Sequence, residues 1–442
     1  MPRLLIVSQA FPPDAAVGAK RVRRMARHLS GLGWDVDVLT VTVSGYERLD
    51  FTLVEPDASY RVRRSFAVTP MLWGRRLRDR LWRGAKEPAD TRMDGSAPKT
   101  DRTGEAGPAE GHENGPWVSL RACLTTPDEY AGWIPSAVAT GLTVARPDLI
   151  LASGPAWSSL MAAAAIARLR GVPLVLDYRD PWTSTAHRLD TESFRGRLER
   201  LAETRTLAQA VGLVATTKGV LESVRSLRPL PGRVVHNAYD LDLVRDIEPW
   251  TSPKFTVVYA GSFYSGRNPG PIVRALAHLK KRGMLPERGL ELRVVGTSPR
   301  DVARLVAGTG LEEHVVLENL LPYREALRRV AGADVLLLVI GRNHAEMLPA
   351  KLFDYLATGR FILGIGPSPS EAADILRSSG AGVMVDPDDV PGIAAALAAR
   401  FEAPRTSGSS PDCDGPYEAS RTMRDLDLFL REFVAEARSR RG

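Results

Sequence analysis

The chain has 442 residues, of which 44% are hydrophobic: too long for one compact core, and ordinary in composition for a globular protein of two large α/β domains or three smaller ones. Only Cys123 and Cys413 are present, which excludes a disulfide framework and a cysteine zinc site and fits a reducing cytosol. The formal charge of +7 gives some surface an attraction for anions. No zinc-finger spacing, basic zipper or RNA-binding aromatic motif accompanies that charge, so nucleic acid is not an expected partner.

The opening run Met1-Pro2-Arg3-Leu4-Leu5-Ile6-Val7-Ser8 is too short for a signal peptide, and no apolar run approaches the roughly 20 residues that span a bilayer. The chain is therefore expected to be soluble or peripheral. A strand is predicted at 3–8, then a loop carrying Phe11-Pro12-Pro13 and Gly18, a helix over about 19–32 and a strand at 35–41. This is the opening of a doubly wound α/β domain. Gly18 either lets the backbone approach a ligand at the helix N-terminus or merely eases the turn. In the second case Lys20, Arg21, Arg23 and Arg24 are a solvated helix face.

In 71–83, Trp73, Leu77 and Leu81 recur every four residues and five arginines stand against one aspartate. That pattern fits an interfacial helix at an anionic membrane, or a surface helix packed on its domain through the same stripe. From 84 to 116 the chain has no large apolar residue except Met93 and is expected to be a disordered insert. Structure resumes with a predicted helix near 128–145, a buried strand at 148–152, a small-residue helix over 156–170 and a strand at 173–178. Alternation of strand and helix argues for a parallel sheet, whose ligands bind outside the carboxyl ends of the strands. Two loops sit there, Ser153-Gly154-Pro155 and Arg179-Asp180-Pro181-Trp182. Arg179 and Asp180 are either a turn-stabilising pair or part of a site.

A helix near 192–210, a strand at 212–216, a further helix and the run Val234-Val235-His236-Asn237 follow. His236 has no second histidine or carboxylate at metal spacing and reads as a packed or capping residue. A second alternating region starts with the strand 254–260 and the loop Gly261-Ser262-Phe263-Tyr264-Ser265-Gly266-Arg267-Asn268-Pro269. Glycines at both ends let such a loop wrap an oxyanion, and Arg267 offers a bidentate donor. Strands at 290–295, 314–318 and 333–339 alternate with helices near 300–308 and 323–331. Strands at 361–365 and 382–385 continue the sheet, and a Ser, Pro and Gly-rich stretch at 403–416 precedes a charged helix at about 418–440.

The most informative run is Glu346-Met347-Leu348-Pro349-Ala350-Lys351-Leu352-Phe353-Asp354. Pro349 is placed to start a helix, which leaves Glu346 in the preceding loop and Asp354 more than a turn inside. First-turn N–H groups and Lys351 would meet a diphosphate, with a carboxylate on either side for hydroxyls. An i,i+3 surface pair between Lys351 and Asp354 on a core-packed helix is the other reading.

The wider segment resembles glycosyltransferase family 4, retaining enzymes of the GT-B fold, whose motif is Glu, seven residues, Glu and a Gly-rich helix end. The resemblance implies an α/β protein of two Rossmann-like doubly wound domains facing a cleft. Residues 1–240 would form the acceptor domain and 254–402 the nucleotide-sugar donor domain, with 403–442 a linker and a helix crossing back to the first domain. It implies that Glu346 contacts the donor sugar and that Asp354, a methylene shorter than the usual Glu, holds the ribose. The Arg179-Asp180-Pro181-Trp182 run resembles one in bacterial polysaccharide enzymes, many of which have a His near this point. Family loops matching Gly261 start with Gly-Arg, where this chain has Ser262, and carry a Lys where it has Arg267.

By this reading Glu346, Arg267, Lys351 and Asp180 are the catalytic set, and Gly18, Gly261, Ser262, Met347, Leu348 and Asp354 bind the donor. The resemblance implies no metal and no cofactor beyond the nucleotide sugar as co-substrate. The expected acceptor is a saccharide, a lipid-linked saccharide or a natural product, met in the cytoplasm and, if 71–83 binds lipid, at the inner membrane face. Two alternatives share the fold: a sugar-nucleotide epimerase, and a non-catalytic partner subunit of a membrane glycosylation complex.

Overall fold

A computed structural model describes residues 1–68, 126–184, 193–261, 263, 267–296, 299–342, 348–403 and 415–440. The predicted helix at 71–83, the insert at 84–116, Ser262, Glu346 and Met347 lie outside the described residues. The chain forms two units, one of Met1–Val235 with Met423–Gly442 and one of His236–Thr422.

In the first unit the described strands are β1 (Arg3–Val7), β2 (Asp35–Val41), β3 (Arg61–Ser65), β4 (Leu149–Gly154), β5 (Leu174–Tyr178), β6 (Gly212–Ala215) and β7 (Gly232–Val234). They form one parallel sheet in the order β3-β2-β1-β4-β5-β6-β7. A parallel sheet is buried on both faces, and β1 shows it: Leu5 and Val7 pack into one apolar cluster, Leu4 and Ile6 into the other. The second cluster is closed by Met423, Leu426, Phe429, Leu430 and Phe433 of the helix Ala419–Ser439. Gly212 makes room for that helix, because a Cβ there would stand 2.5 Å from the Phe433 ring. Trp34 Nε1 donates to Asp427 at 2.6 Å, which supplies the partner a buried indole needs.

The second unit contains β8 (Phe255–Ala260), β9 (Leu290–Val295), β10 (Val315–Glu318), β11 (Val335–Val339), β12 (Phe361–Ile365) and β13 (Gly382–Val385). These too are parallel, in the order β10-β9-β8-β11-β12-β13. Val257 and Tyr259 face one cluster and Val258 the other. In each sheet the strand order reverses once, between β1 and β4 and between β8 and β11. Ligands of such sheets bind at that switch, outside the carboxyl ends. The two Rossmann-like units make this a GT-B fold.

Two local expectations change. The helix expected near 128–145 begins only at Ile134, after a 3-10 turn at Ala131–Trp133, with Pro135 in its first turn. Asp128 is spent elsewhere, accepting from the backbone N–H groups of Tyr130 and Ser158, both at 2.9 Å. Nor is the arginine run after Gly18 a solvated face: Arg21, Arg23 and Arg24 are all buried on the helix Val17–Gly31.

Candidate functional site

In the second unit the site is built on the end of β8. Gly261 follows the strand at φ +128°, a conformation that disfavours any side chain, and its N–H donates to the Val295 carbonyl at 2.7 Å. A Cβ at Gly261 would stand 2.5 Å from Lys351 Nζ, so the glycine is what lets the lysine head lie against the backbone. Lys351 comes from the helix Ala350–Leu356, with Pro349 at its N-cap, one residue earlier than the first helical position expected for it. At seven residues this helix has fewer than two turns.

Lys351 Nζ is buried with no hydrogen-bond partner among the described residues and sits 3.8 Å from the centroid of the Tyr259 ring. Phe263 stacks on the same tyrosine at 4.1 Å and 8°. Burial pushes the lysine pKa well below its usual value, the Arg267 guanidinium pushes the same way, and Asp354 opposes both. Two cations held this close in an apolar cradle are a poor arrangement by themselves and a good one for a multivalent anion.

Asp354 is half-buried and accepts from the Tyr323 hydroxyl at 2.7 Å. Tyr355, one residue on, has its hydroxyl accepting from the Ala260 N–H at 3.0 Å, which ties this helix to the end of β8. Leu348 is buried in the apolar cluster with Leu352, Phe353 and Tyr355. Gly261, Arg267, Lys351 and Asp354, picked from sequence, thus stand together. Tyr259, Phe263 and Tyr323 were not foreseen, and the Tyr-Ala-Gly end of the strand was the available signal. His236 is packed as expected, its ring 6.3 Å from Phe353 and 5.6 Å from Tyr417, with Glu371 at 3.6 Å from its Nε2.

In the first unit Gly18 opens the helix Val17–Gly31, and a Cβ on it would overlap the Arg179 guanidinium. Arg179 follows β5, and Asp180 beside it is half-buried and makes no hydrogen bond or ion pair among the described residues. Trp182 is buried and stacks on Trp157 at 5.3 Å and 1°, which fixes the end of the run. Next to them lies a network that sequence reading missed. Arg21 Nε and Nη2 donate to the Asp177 carboxylate at 2.9 and 2.6 Å, Ser153 Oγ donates to it at 2.7 Å, and Arg21 Nη2 reaches the Val235 carbonyl at 2.9 Å. A carboxylate inside an otherwise apolar strand, Leu174-Val175-Leu176-Asp177-Tyr178, was the signal that a buried cation must exist.

Residues 18–239 match the family model described as a glycosyl transferase 4-like domain. No curated protein matches the chain. Among solved structures, sucrose-phosphate synthase from Thermosynechococcus elongatus is 15% identical at a TM-score of 0.58, covering 99% of this chain and 97% of its own. Anabaena HepE in complex with UDP and glucose is 14% identical at a TM-score of 0.59, covering 98% of this chain and 100% of its own. Trehalose 6-phosphate synthase from Burkholderia multivorans is 13% identical at 0.61, covering 100% and 99%. At these identities the likeness is one of fold. Among the described residues no helix is long and apolar enough to cross a membrane.

Proposed function

The chain belongs to the glycosyl transferase 4-like family, and from that premise we propose that it moves a sugar from a nucleoside diphosphate sugar to an acceptor with retention of anomeric configuration. The observation that carries the reading is the Lys351 ammonium, buried without a hydrogen-bond partner among the described residues, beside Arg267 and against Gly261 at the switch point of the second sheet. A diphosphate placed there gives the Lys351 ammonium a counter-charge and, as the leaving group, has the negative charge it gains when the sugar–phosphate bond breaks stabilised by Lys351 and Arg267. No metal is needed for that neutralisation. Asp354, oriented by the Tyr323 hydroxyl, takes the ribose hydroxyls, and Glu346 takes the donor sugar. Gly18 belongs with the donor-binding residues and Asp180 with the acceptor side, where the acceptor is a saccharide, a lipid-linked saccharide or a natural product. HepE, solved with UDP, makes UDP the first nucleotide to test.

The test is calorimetric titration with UDP, GDP, ADP, dTDP and CMP, repeated on Glu346→Ala and Asp354→Ala. One nucleotide is expected to bind selectively, about tenfold or more weaker in Asp354→Ala, since a hydrogen bond to a charged group is lost. Binding by none of them would end the transferase reading and leave a non-catalytic partner subunit as the better account.

A further inference from the structure

At the carboxyl edge of the first sheet the fold places a cation to which no carboxylate is bonded among the described residues. Arg179 Nε donates to the Gly154 carbonyl at 3.2 Å, and the Arg179 carbonyl accepts from Thr216 Oγ1 at 2.8 Å, so both ends of the residue are fixed. Its Nη1 and Nη2 groups make no hydrogen bond or ion pair among the described residues. The carboxylates around it are committed or stand off. Asp177 is taken by Arg21 and Ser153, Asp14 accepts from the Ala16 N–H at 3.1 Å, and Asp180 makes no bond. Burial holds the guanidinium pKa below its usual value, with Arg21 pushing the same way and Asp180, Asp177 and Asp14 opposing.

The position of the guanidinium is as telling as its bonding. It lies against the first turn of the helix Val17–Gly31, in space that exists because residue 18 has no side chain. That turn has no acidic residue and no side-chain cap, so its N–H groups present positive charge of their own. A guanidinium at the positive end of a helix is repelled until an anion enters between them. The place is also the strand-order switch, with Gly18 after β1, Gly154 closing β4 and Arg179 after β5 on three neighbouring strands.

We propose that Arg179 is an oxyanion-recognition residue of the first unit, its Nη1 and Nη2 taking a phosphate or carboxylate of a substrate against the backbone of Gly18. What carries the anion rests on the transferase reading; the site itself stands on the first unit alone. Two sources have this chemistry, the diphosphate of the donor and an anionic group on the acceptor.

The experiment titrates inorganic phosphate into the full chain by calorimetry, in a Lys351→Met, Arg267→Gln background that removes both cations of the second unit's site. Adding Arg179→Gln is expected to weaken phosphate about tenfold or more, as for loss of a bidentate charge-assisted contact. Gly18→Ala, which displaces the guanidinium without removing it, is expected to do the same and carries the test if Arg179→Gln fails to fold. Undiminished phosphate affinity in both variants, or no phosphate binding before either is added, overturns the proposal. In the unmodified chain, phosphate that still binds through Arg179 at saturating UDP assigns the anion to the acceptor. Displacement by UDP, with weaker UDP binding in Arg179→Gln, assigns it to the donor. Phosphate binding through Arg179 without binding of any nucleotide would keep this site and sink the transferase reading.

Discussion

Replacing Lys351 by Met keeps the volume and removes the charge, and the structure predicts effects of opposite sign on stability and on binding. A buried polar head left without a hydrogen bond costs about 1–3 kcal/mol, and Lys351 Nζ is in that state. The Tyr259 face at 3.8 Å returns about 0.5–2 kcal/mol of that. The balance is a cost on the order of 1 kcal/mol, so Lys351→Met is expected to stabilise the free protein by that much. The same substitution removes a charge-assisted bond to the diphosphate worth about 1.5–3 kcal/mol, hence roughly 10- to 150-fold in nucleotide affinity. The pH dependence has a definite sign. The folded-state pKa lies below the unfolded value near 10.5, so the unfolded chain binds more protons between the two. Wild-type stability therefore rises with pH across that window, and the variant loses the slope. Urea unfolding at neutral and alkaline pH, with calorimetric titration of whichever nucleotide binds, measures all three quantities. A variant that is more than about 1 kcal/mol less stable, or that binds the nucleotide as well as wild type, would refute the assignment of Lys351 as a cation held for a ligand.

Two further predictions concern the first unit. Asp177→Ala strands Arg21 and Ser153 and should cost about 3–5 kcal/mol in urea unfolding followed through the buried Trp34, Trp133, Trp157 and Trp182; the double replacement Arg21→Leu, Asp177→Leu should cost far less, and equal losses would show that packing rather than the pair is what matters. Burial raises the Asp14 pKa from 3.8 to about 6, so the folded chain holds the proton more tightly and stability gained below pH 4 is lost as pH rises through 6. Asp14→Asn should flatten that dependence and be more stable than wild type at pH 7, with the difference shrinking toward pH 4; a pH-independent difference would mean that Asp14 is not the group titrating.

The alternation of apolar strands with helices made both sheets legible, because a strand buried on both faces must be apolar throughout, as in Leu149-Ile150-Leu151-Ala152. The spacing put Lys351 and Asp354 on one short helix, since Pro349 fixes where it starts to within one residue, but only the resemblance to glycosyltransferase family 4 chose a ligand site over a surface pair. Partner choice across strands was not legible. Arg21 and Asp177 are 156 positions apart, and a run of basic residues on a helix reads as solvated unless the carboxylate that buries it is found. The same blindness hid Tyr259, because a tyrosine ending a strand reads as core and its ring carries both that packing and the contact to Lys351.

What the sequence held without showing is that the two units solve one problem in the same way. In each, a glycine lies beyond the strand where the order reverses, Gly261 directly after β8 and Gly18 in the first turn of the helix that follows β1. In each, the space its missing Cβ would fill holds the head of a cation delivered from another element, Arg179 after β5 and Lys351 after β11. A glycine in such a loop is usually credited with letting a ligand approach the backbone. Here its first effect is internal, letting the head of a cation lie against the backbone. Each glycine and its cation then form one functional pair, so removing the cation should make the glycine replaceable. Gly18→Ala should weaken phosphate when Arg179 is present and change nothing when residue 179 is already Gln. An equal effect in both backgrounds would return Gly18 to a role in the turn alone.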